Sequence, residues 1–263
     1  MDKSSLGDRM KRYESVSKGI LVPRTPVIIR LDGCHFHTVC RGFKKPFDPV
    51  MIKAMQDTMK YLCEHIQGCV FGYTQSDEIT LVLVDYKNLN SSAWFDNEIQ
   101  KMCSVAASMA TYAFVTYFKA HSLGNAMQDD SNYFFAHEKA LQNGIAFDCR
   151  AFNVPKEEVC NCVLWRQQDA TRNSIEALAQ ANFPHKELQN LNCNQLQDKL
   201  MLEKGINWND LSVVEKRGSA CIKEKYTFEN KNGEITERTR WKVDTEMPIL
   251  TQDRAYVEDL VCF

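Results

Sequence analysis

The stretch CVFGYTQSDEITLVLVDY, residues 69–86, decides the fold. Its two halves are apolar and rich in β-formers, and its polar centre, Gln75 to Glu78, predicts the turn of a β-hairpin. Upstream, VIIRLDG at residues 27–33 is a short β-branched run that ends at Asp-Gly. That run predicts a buried strand that stops in a turn.

Helices and one further strand complete the pattern of the first half. Residues 49–66 carry apolar side chains at helical spacing, and a long helix is expected over roughly 95–120. Residues 145–152, IAFDCRAF, predict a fourth strand. The resulting order of strand, helix, strand, strand, helix, strand is the ferredoxin-like βαββαβ order. We therefore predict an α+β fold, with an antiparallel sheet and helices on one face, over residues 1–152.

The chain beyond Pro155 has a different character. Helical segments are expected around 156–181 and 193–204, and a β-hairpin is expected to turn at Asn232-Gly233. Residues 153–263 are thus predicted to be a helical and β-hairpin part that packs on the core as one unit. At the other end, the charge-rich residues 1–19 are expected to form a helix or an arm.

Composition excludes several classes of protein. The chain has 263 residues, of which 44% are hydrophobic and 25% charged, which excludes a disordered or low-complexity protein. The formal net charge is −2, so the chain is not a uniformly basic nucleic-acid binder, although a local basic patch remains compatible with it.

Cysteine usage and hydropathy predict a cytoplasmic protein that is not associated with a membrane. The 11 scattered cysteines are an odd number, which favours a reducing compartment. The start, MDKSSLGDRMKRYE, lacks the apolar core of a signal peptide. Residues 102–118 carry no formal charge, but their Ser, Thr, Ala and Tyr content favours a buried helix over a membrane span.

Two carboxylates that are distant in sequence are expected to meet at one edge of the sheet. Asp32 ends the first strand and Asp77 lies at the tip of the hairpin, and the predicted order places these elements side by side. Hard oxygen ligands suit Mg²⁺, which takes one or two carboxylates plus substrate phosphates. Two ions about 3.5–4 Å apart would serve phosphoryl or nucleotidyl transfer. Either motif alone is also typical of an ordinary solvated turn, so the spacing leaves both interpretations open.

The loop after the first strand admits further interpretations. Cys34, His37 and Cys40 lie at three-residue steps, as in part of a zinc site, but no second pair with matching spacing lies nearby. Alternatively, this glycine-containing loop binds a triphosphate through backbone N–H groups, with Lys44 and Lys45 as cations. The same two lysines are equally compatible with simple solvation of the loop.

These stretches carry a family resemblance. The sequence resembles the tRNA-His guanylyltransferase superfamily, the reverse polymerases that add nucleotides to the 5′ end of tRNA. The matching stretches are GDRMKRYE (7–14), RLDGCHFHTVCRGFKKPFD (30–48), GYTQSDEITLVL (72–83), FDCRAF (147–152) and LWRQQDATRNS (164–174). The resemblance runs to about residue 183 and is close in the first half and loose in the C-terminal third.

The resemblance implies a polymerase-palm-like core with two Mg²⁺ ions. The implied metal ligands are Asp32, the carbonyl of Gly33, and Asp77, and Glu78 matches a family acidic position that we count with the catalytic residues. The residues implied to line the nucleotide are Asp32, Gly33, Cys34, His35, Phe36, His37, Lys45, Ser76 and Asp77. Weaker matches imply phosphate or tRNA contacts by Lys101, Ser104, Ser108, Arg150 and Arg166. The first three also fit a plain helix face, and Arg150 also fits a pair with Asp148.

The implied activity is addition of nucleotides to tRNA by a homotetramer. ATP first adenylylates the 5′-monophosphate of the tRNA, and the 3′-hydroxyl of an incoming GTP or other nucleoside triphosphate then attacks the activated phosphate. The alternatives from the sequence are another palm enzyme such as a nucleotide cyclase, and a non-catalytic tRNA-binding module.

One departure from the family pattern bears on the substrate. The eukaryotic tRNA-His enzymes carry His-x-Asn-Asn-Leu-Tyr-Asn after a Trp-Arg-Gln-x-Asp lead. Here the lead is retained, but Thr171 replaces the His and Ser174 replaces the second Asn. This favours the guanylyltransferase-like branch, which repairs 5′-truncated tRNA by templated addition, over strict G addition to tRNA-His.

Overall fold

The computed structural model describes residues 5–126, 131–229 and 235–262. The strands are β1 (Val27–Gly33), β2 (Cys69–Gln75), β3 (Glu78–Leu83), β4 (Phe147–Asn153), β5 (Ser219–Glu229) and β6 (Ile235–Asp244). The longer helices are α1 (Ser5–Val16), α3 (Pro49–His65), α4 (Ile99–Ala126), α5 (Ser131–Gln142), α6 (Lys156–Asn182) and α8 (Cys193–Lys204). The short helices are α2 (Phe36–Val39), α7 (His185–Leu188), α9 (Val213–Arg217) and α10 (Ala255–Glu258), with 3₁₀ turns at Trp94–Asn97 and Trp208–Asp210.

The six strands form one sheet in the order β4-β1-β3-β2-β5-β6, and every neighbouring pair is antiparallel. The first four strands, with α3 and α4 between them in the chain, confirm the predicted α+β fold. Strand β5 then pairs with β2, so the same sheet continues past residue 152. The division of the chain at that residue stays a prediction.

One face of the sheet is an apolar core under α3 and α4. Val27, Ile29 and Leu31 of β1 belong to it, packed with methionines of α3 and with Phe114 and Phe118 of α4. Alternation explains this, because successive strand side chains point to opposite faces of a sheet. The uncharged stretch 102–118 therefore lies in α4, and one side of the helix, which carries Met102, Phe114 and Phe118, is buried in this core.

The opposite face is covered by α6 and the C-terminal segment. Ile28 of β1 and Val82 of β3 pack there against Val159 and Val163 of α6. The side chain of Gln167 is buried on the same helix, where its Nε2 donates to the carbonyl of Pro248 (2.8 Å) and its Oε1 accepts from the backbone N–H of Leu250 (2.9 Å). Both faces of the sheet are thus covered at β1 and β3, and the C-terminal part supplies the second cover, whereas most of β6 is exposed.

Several predicted elements agree closely with the structure. The first strand has the predicted bounds, the hairpin turns at Ser76-Asp77, and α8 has the predicted bounds. Residues 5–16 form a helix without buried side chains. Helix α5 was not predicted, and the hairpin turn predicted at Asn232-Gly233 lies outside the described residues. Within the described ranges, no helix combines the length and the apolar character needed to cross a bilayer.

Candidate nucleotide and metal site

The register of the sheet brings Asp32 and Asp77 to one edge. Strand β1 runs antiparallel to β3 with Asp32 opposite Glu78, and the backbone N–H of Gly33 donates to the carbonyl of Asp77 (3.1 Å). The hairpin closes through Ser76, whose φ of 49° lies in the left-handed region. Asp32 and Asp77 therefore lie at the same edge of the sheet, as the predicted strand order implies.

The surroundings of Asp77 disfavour its negative charge. Asp77 is half-buried, and burial raises the pKa of its carboxyl, with the nearby charge of Asp32 adding to the rise. Hydrogen bonds from the backbone N–H of Asp77 itself and from Ser76 oppose this shift. In the described part of the chain, neither carboxylate has a lysine or arginine within ion-pair distance. A cation placed between them would relieve this repulsion.

These donors fit Mg²⁺. The set consists of two carboxylates and the backbone carbonyl of Gly33, which leaves coordination positions for phosphate oxygens and water. The residues that the structure describes contain no cluster of three or more His, Cys, Asp or Glu side chains able to hold a metal. That finding does not count against Mg²⁺, since its usual protein ligands are only one or two carboxylates.

The zinc interpretation receives no support from the geometry. Cys34, His37 and Cys40 belong to the described residues and form no such cluster. Burial raises the pKa of the Cys40 thiol to about 12, with the charge of Asp77 contributing to the rise. Within the described residues, the three side chains are therefore not assembled as a zinc site.

A cleft of about 560 Å³ opens beside this edge of the sheet. That volume is in the range of small-molecule and cofactor sites. Seven residues of the predicted nucleotide set line it: Gly33, His35, Phe36, His37, Lys45, Ser76 and Asp77. The other two, Asp32 and Cys34, flank Gly33 in the chain without lining the cleft. Glycine is required at position 33, because a Cβ there would lie 2.3 Å from Cδ2 of Phe36.

Sequence reasoning missed the opposite wall of the cleft. Helix α6 contributes Ala170, Asn173, Ser174 and Ala177, and the chain around α9 contributes Val214, Glu215 and Gly218. Gly218 has a φ of 83°, and a Cβ there would lie 2.4 Å from the carbonyl oxygen of Thr74. This close approach of α9 to β2 joins the C-terminal part to the site.

Asp48, also missed, holds the loop that carries Lys45. Its carboxylate caps α3 by accepting from the backbone N–H of Met51 (2.9 Å), and it also accepts from the N–H of Lys44 (3.0 Å). The hydroxyl of Tyr133 donates to the same carboxylate (2.8 Å), and Nε2 of His137 lies 3.8 Å away. Burial opposes ionisation, but these donors outweigh it and lower the pKa of Asp48. An Asp-Pro step at the start of a helix is the sequence signal that could have identified it.

Glu78 and Arg166 face each other on the α6 side of the sheet. Nε of Arg166 lies 2.7 Å from Oε1 of Glu78, and its Nη2 lies 2.6 Å from Oδ2 of Asp169. Burial raises the pKa of Glu78, although Arg166 opposes the shift. Both side chains are therefore engaged within the protein, and their predicted roles in catalysis and phosphate contact stay predictions.

The remaining predicted contacts lie outside the cleft. Lys101, Ser104 and Ser108 lie on the exposed side of α4, where each serine hydroxyl donates to a backbone carbonyl of its own helix. Arg150 is exposed on β4, directly opposite Arg30 of β1. Among the ion pairs of the described chain there is none between Arg150 and Asp148.

The two departures from the family pattern have local partners. The Thr171 hydroxyl donates to the carbonyl of Gln167 within α6 (3.0 Å). Oγ of Ser174 is buried at the cleft wall and accepts from Nε1 of Trp208 (3.0 Å). Ser174 thus connects α6 to the segment that leads into α9.

Comparisons with known proteins found a matching family model and similar solved structures. A family model described as tRNAHis guanylyltransferase (Thg1) matches residues 7–155. A bacterial tRNA(His) guanylyltransferase (Thg1)-like protein, solved in complex with ATP, is 46% identical with a TM-score of 0.84, covering 98% of this chain and 99% of its own. A bacterial protein of the same description, solved with GTP, is 42% identical with a TM-score of 0.78, covering 99% and 100%.

Curated relatives are more distant. Protein R259 of Acanthamoeba polyphaga mimivirus, described as uncharacterized, is 28% identical over 244 residues, which are 88% of this chain and 82% of that protein. The tRNA(His) guanylyltransferase 2 of Arabidopsis thaliana is 28% identical over 246 residues, 87% of this chain. The match spans only 41% of the plant protein's length.

Proposed function

Because this chain belongs to the tRNAHis guanylyltransferase (Thg1) family and is a nucleotidyltransferase, we propose that it extends the 5′ end of tRNA in the 3′-to-5′ direction. The observation that carries the proposal is the meeting of Asp32 and Asp77 beside a cleft that contains Lys45. Carboxylates and a cation around a pocket of nucleotide size suit phosphoryl chemistry on a nucleoside triphosphate.

The substrates we propose are tRNA, ATP and a second nucleoside triphosphate such as GTP. The similar bacterial proteins were solved with ATP and with GTP, which supports nucleotide binding here. The cleft offers the ammonium of Lys45 and the rings of His35 and His37 for phosphate oxygens. Asp48 supports this assignment because it orders the Lys44-Lys45 loop through the backbone N–H of Lys44.

The reaction needs no side-chain nucleophile. The 5′-phosphate oxygen of the tRNA attacks the α-phosphorus of ATP and releases pyrophosphate. The 3′-hydroxyl of the incoming nucleotide then attacks the adenylylated phosphate and releases AMP. Asp32, Asp77 and the carbonyl of Gly33 would hold Mg²⁺, which supplies positive charge to the phosphates when it is bound. Lys45 and the backbone of the loop position the triphosphate, and the buried wall of the cleft excludes water.

We further propose that addition is template-dependent and repairs 5′-truncated tRNA. The support is the pair of departures in α6, since the Thr171 hydroxyl is engaged by its own helix and that of Ser174 accepts from Trp208. Neither position offers the imidazole or carboxamide that the tRNA-His enzymes carry there. At both positions the chain therefore departs from the pattern of the strict tRNA-His enzymes.

The assembly and compartment are part of the same proposal. All 11 cysteines are free thiols, which supports a reducing cytoplasm. With a net charge of −2, the tRNA is held by a local basic patch or by several subunits together, because phosphate contacts dominate such affinity. The family resemblance implies a homotetramer, and we include that assembly in the proposal. Light scattering tests this part, and a monomer that binds tRNA tightly would contradict it.

The test uses tRNA that lacks its first nucleotide and is labelled at the 5′-phosphate. The protein is incubated with Mg²⁺, ATP and each nucleoside triphosphate in turn, against both tRNA-His and another tRNA. Growth by the nucleotide complementary to the acceptor strand, on either tRNA, is the expected result. Addition of G to tRNA-His alone would replace templated repair by strict guanylyl transfer. An absence of any product would leave a non-catalytic tRNA-binding module.

A further inference from the structure

A partly exposed tryptophan lies outside the cleft and has no role in the chemistry above. The side chain of Trp165, on α6, is 52% exposed, although tryptophan is on average a well-buried residue. The guanidinium carbon of Arg166 lies 4.4 Å from the centre of its ring system, and that of Arg30 lies 5.4 Å away. Such contacts hold an indole in place while leaving part of its surface open to solvent.

Two arginines of neighbouring strands, one of which contacts this indole, form no ion pair in the described chain. Arg166 is neutralised by Glu78 and Asp169, whereas Arg30 and Arg150 have no carboxylate of the described chain within ion-pair distance. Arg30 and Arg150 are also directly opposite each other on β1 and β4. Like charges in directly opposed positions destabilise a sheet, and an anion bound between or beside the two guanidinium groups would offset this repulsion.

The position of the cluster links it to the metal edge. Arg30 and Asp32 are two residues apart on β1 and share one face, a separation of about 6.6 Å along the strand. On α6, Asp169 and Asn173 follow Trp165 at four-residue steps, and Asn173 lines the cleft. The indole, which contacts Arg30, therefore lies near the edge of the sheet that carries Asp32, and it does not line the cleft that contains Lys45.

We propose that Trp165, Arg30 and Arg150, here called the Trp165 patch, bind the acceptor end of the RNA substrate. An unpaired terminal base stacks on the exposed surface of the indole, and the adjoining phosphate binds the two free guanidinium groups. The inference rests on the proposed function, because that function identifies RNA as the substrate. The RNA end would then bind on the face of the sheet that α6 covers, near Asp32 and outside the triphosphate cleft.

The test measures RNA binding without nucleotide, so that turnover does not enter the result. The probes are two acceptor-stem minihelices, one with an unpaired terminal nucleotide and one with a blunt end. Trp165→Ala is expected to weaken binding of the unpaired-end RNA by about 5- to 150-fold and to bind the blunt RNA as the wild type does. Trp165→Phe keeps an aromatic face and is expected to stay close to wild type. Tyr112→Ala, which removes an aromatic side chain that is 65% exposed on α4, is the matched control and should change neither affinity.

A spectroscopic signal separates stacking from a merely structural role. A stacked base quenches indole fluorescence, so the unpaired-end RNA should quench the wild type more than Trp165→Phe, which retains three of the 4 tryptophans. Arg150→Gln should lower the slope of log affinity against log salt by about 1, because one phosphate contact is lost. The apparent affinity for ATP serves as a control for an intact cleft and should be unchanged in all variants.

Three results would overturn the inference, and they differ in what else they affect. If wild type and Trp165→Ala bound the unpaired-end RNA with equal affinity, the Trp165 patch would not bind the RNA end, and the proposed function would be unaffected. A loss of ATP affinity in Trp165→Ala, with RNA binding unchanged, would assign the indole to the nucleotide substrate instead. If the wild-type protein bound neither RNA, both the proposed function and the role of the Trp165 patch in RNA binding would be contradicted.

Discussion

Alternate residues of β1 serve two faces of one sheet, and the two faces differ in what they contain. Val27, Ile29 and Leu31 are all buried in the apolar core under α3 and α4. The alternate side chains of β1 face α6. They are Ile28, Arg30 and Asp32, and they change from apolar to charged toward the carboxyl end of the strand. One strand thus holds the fold together on one side and delivers the charged groups on the other.

The two faces also differ in how their side chains affect the stability of the fold. On the α3/α4 face, burial of apolar side chains stabilises the fold at every position. On the α6 face, the paired acids Asp32 and Asp77 and the facing arginines Arg30 and Arg150 repel each other. Substitutions on the first face should therefore lower stability, and those near the end of the second should lower activity.

The largest expected effect is on activity at the acidic pair. Asp77→Asn or Asp32→Asn should reduce nucleotide addition by at least about 10³-fold, because metal-assisted charge stabilisation is worth several kcal/mol. The free energy of unfolding of Asp77→Asn at neutral pH should equal or exceed that of the wild type, since the substitution removes a buried charge beside Asp32. Single-turnover assays and urea unfolding check the two halves of this prediction.

The matched control for that experiment is Asp148→Asn. Asp148 is exposed on β4 directly opposite Asp32, so it carries the same charge in the same row without belonging to the proposed ligand set. Near-normal turnover of this variant is expected. An equal loss in Asp148→Asn would show that general negative charge, rather than the Asp32–Asp77 pair, supports the reaction.

The second effect is on stability at the buried ion pair of the α6 face. Arg166→Met leaves Glu78 without its partner at a side-chain exposure of 11%, and such a loss costs about 3–5 kcal/mol. The double variant Glu78→Gln, Arg166→Met should recover most of that loss, because the uncompensated charge is gone. Chemical denaturation of both single variants and the double variant measures the coupling. Additive losses would mean that the pair does not act as a unit.

The third effect is on stability at the apolar face. Ile29→Ala should lower the free energy of unfolding by about 2–5 kcal/mol, and Ile29→Val by about 0.5–1.5 kcal/mol, through loss of buried volume. The turnover of the folded fraction should be unchanged, since Ile29 points away from the charged face. A selective loss of turnover in Ile29→Val would break the comparison between the two faces.

The smallest effect is a contrast in pH dependence between two carboxylates of the cleft. The pKa of Asp77 is raised by burial and by Asp32, so its contribution to stability falls as pH rises from 3.8 through the folded value. The pKa of Asp48 is lowered by its hydrogen bonds despite burial, so its contribution is present above 3.8 and is lost as pH falls through the folded value.

Asn substitutions at the two positions should therefore change the pH profile in opposite directions. Relative to wild type, Asp77→Asn should gain stability as pH rises through its window, and Asp48→Asn should lose less stability on acidification. Urea unfolding at several pH values between about 3 and about 7 measures both differences. If the difference in free energy of unfolding between variant and wild type changed with pH in the same direction for both variants, the two carboxylates would not have opposite environments.

Local pattern was sufficient for the palm-like core. Alternating apolar residues and an Asp-Gly stop specify β1, and the polar centre Gln75–Glu78 specifies the hairpin turn. The predicted strand order is then enough to bring Asp32 and Asp77 to the same edge of the sheet. Helix α5 was missed, although Tyr133, His137 and Ala140 are buried at helical spacing. A buried histidine and alanine give a weaker apolar stripe than leucine or methionine would.

The sequence by itself determined the four strands and two of the helices of the palm-like core, their order and the meeting of two acids at one sheet edge, because these follow from periodicity and chain connectivity. Only the tertiary structure decided what surrounds that edge. The partners of Asp48 reach to Tyr133, 85 positions away, and Arg166 meets Glu78 across 88 positions. Such contacts are set by how α5 and α6 pack on the sheet, and packing depends on the shapes of whole surfaces rather than on any local pattern of residues.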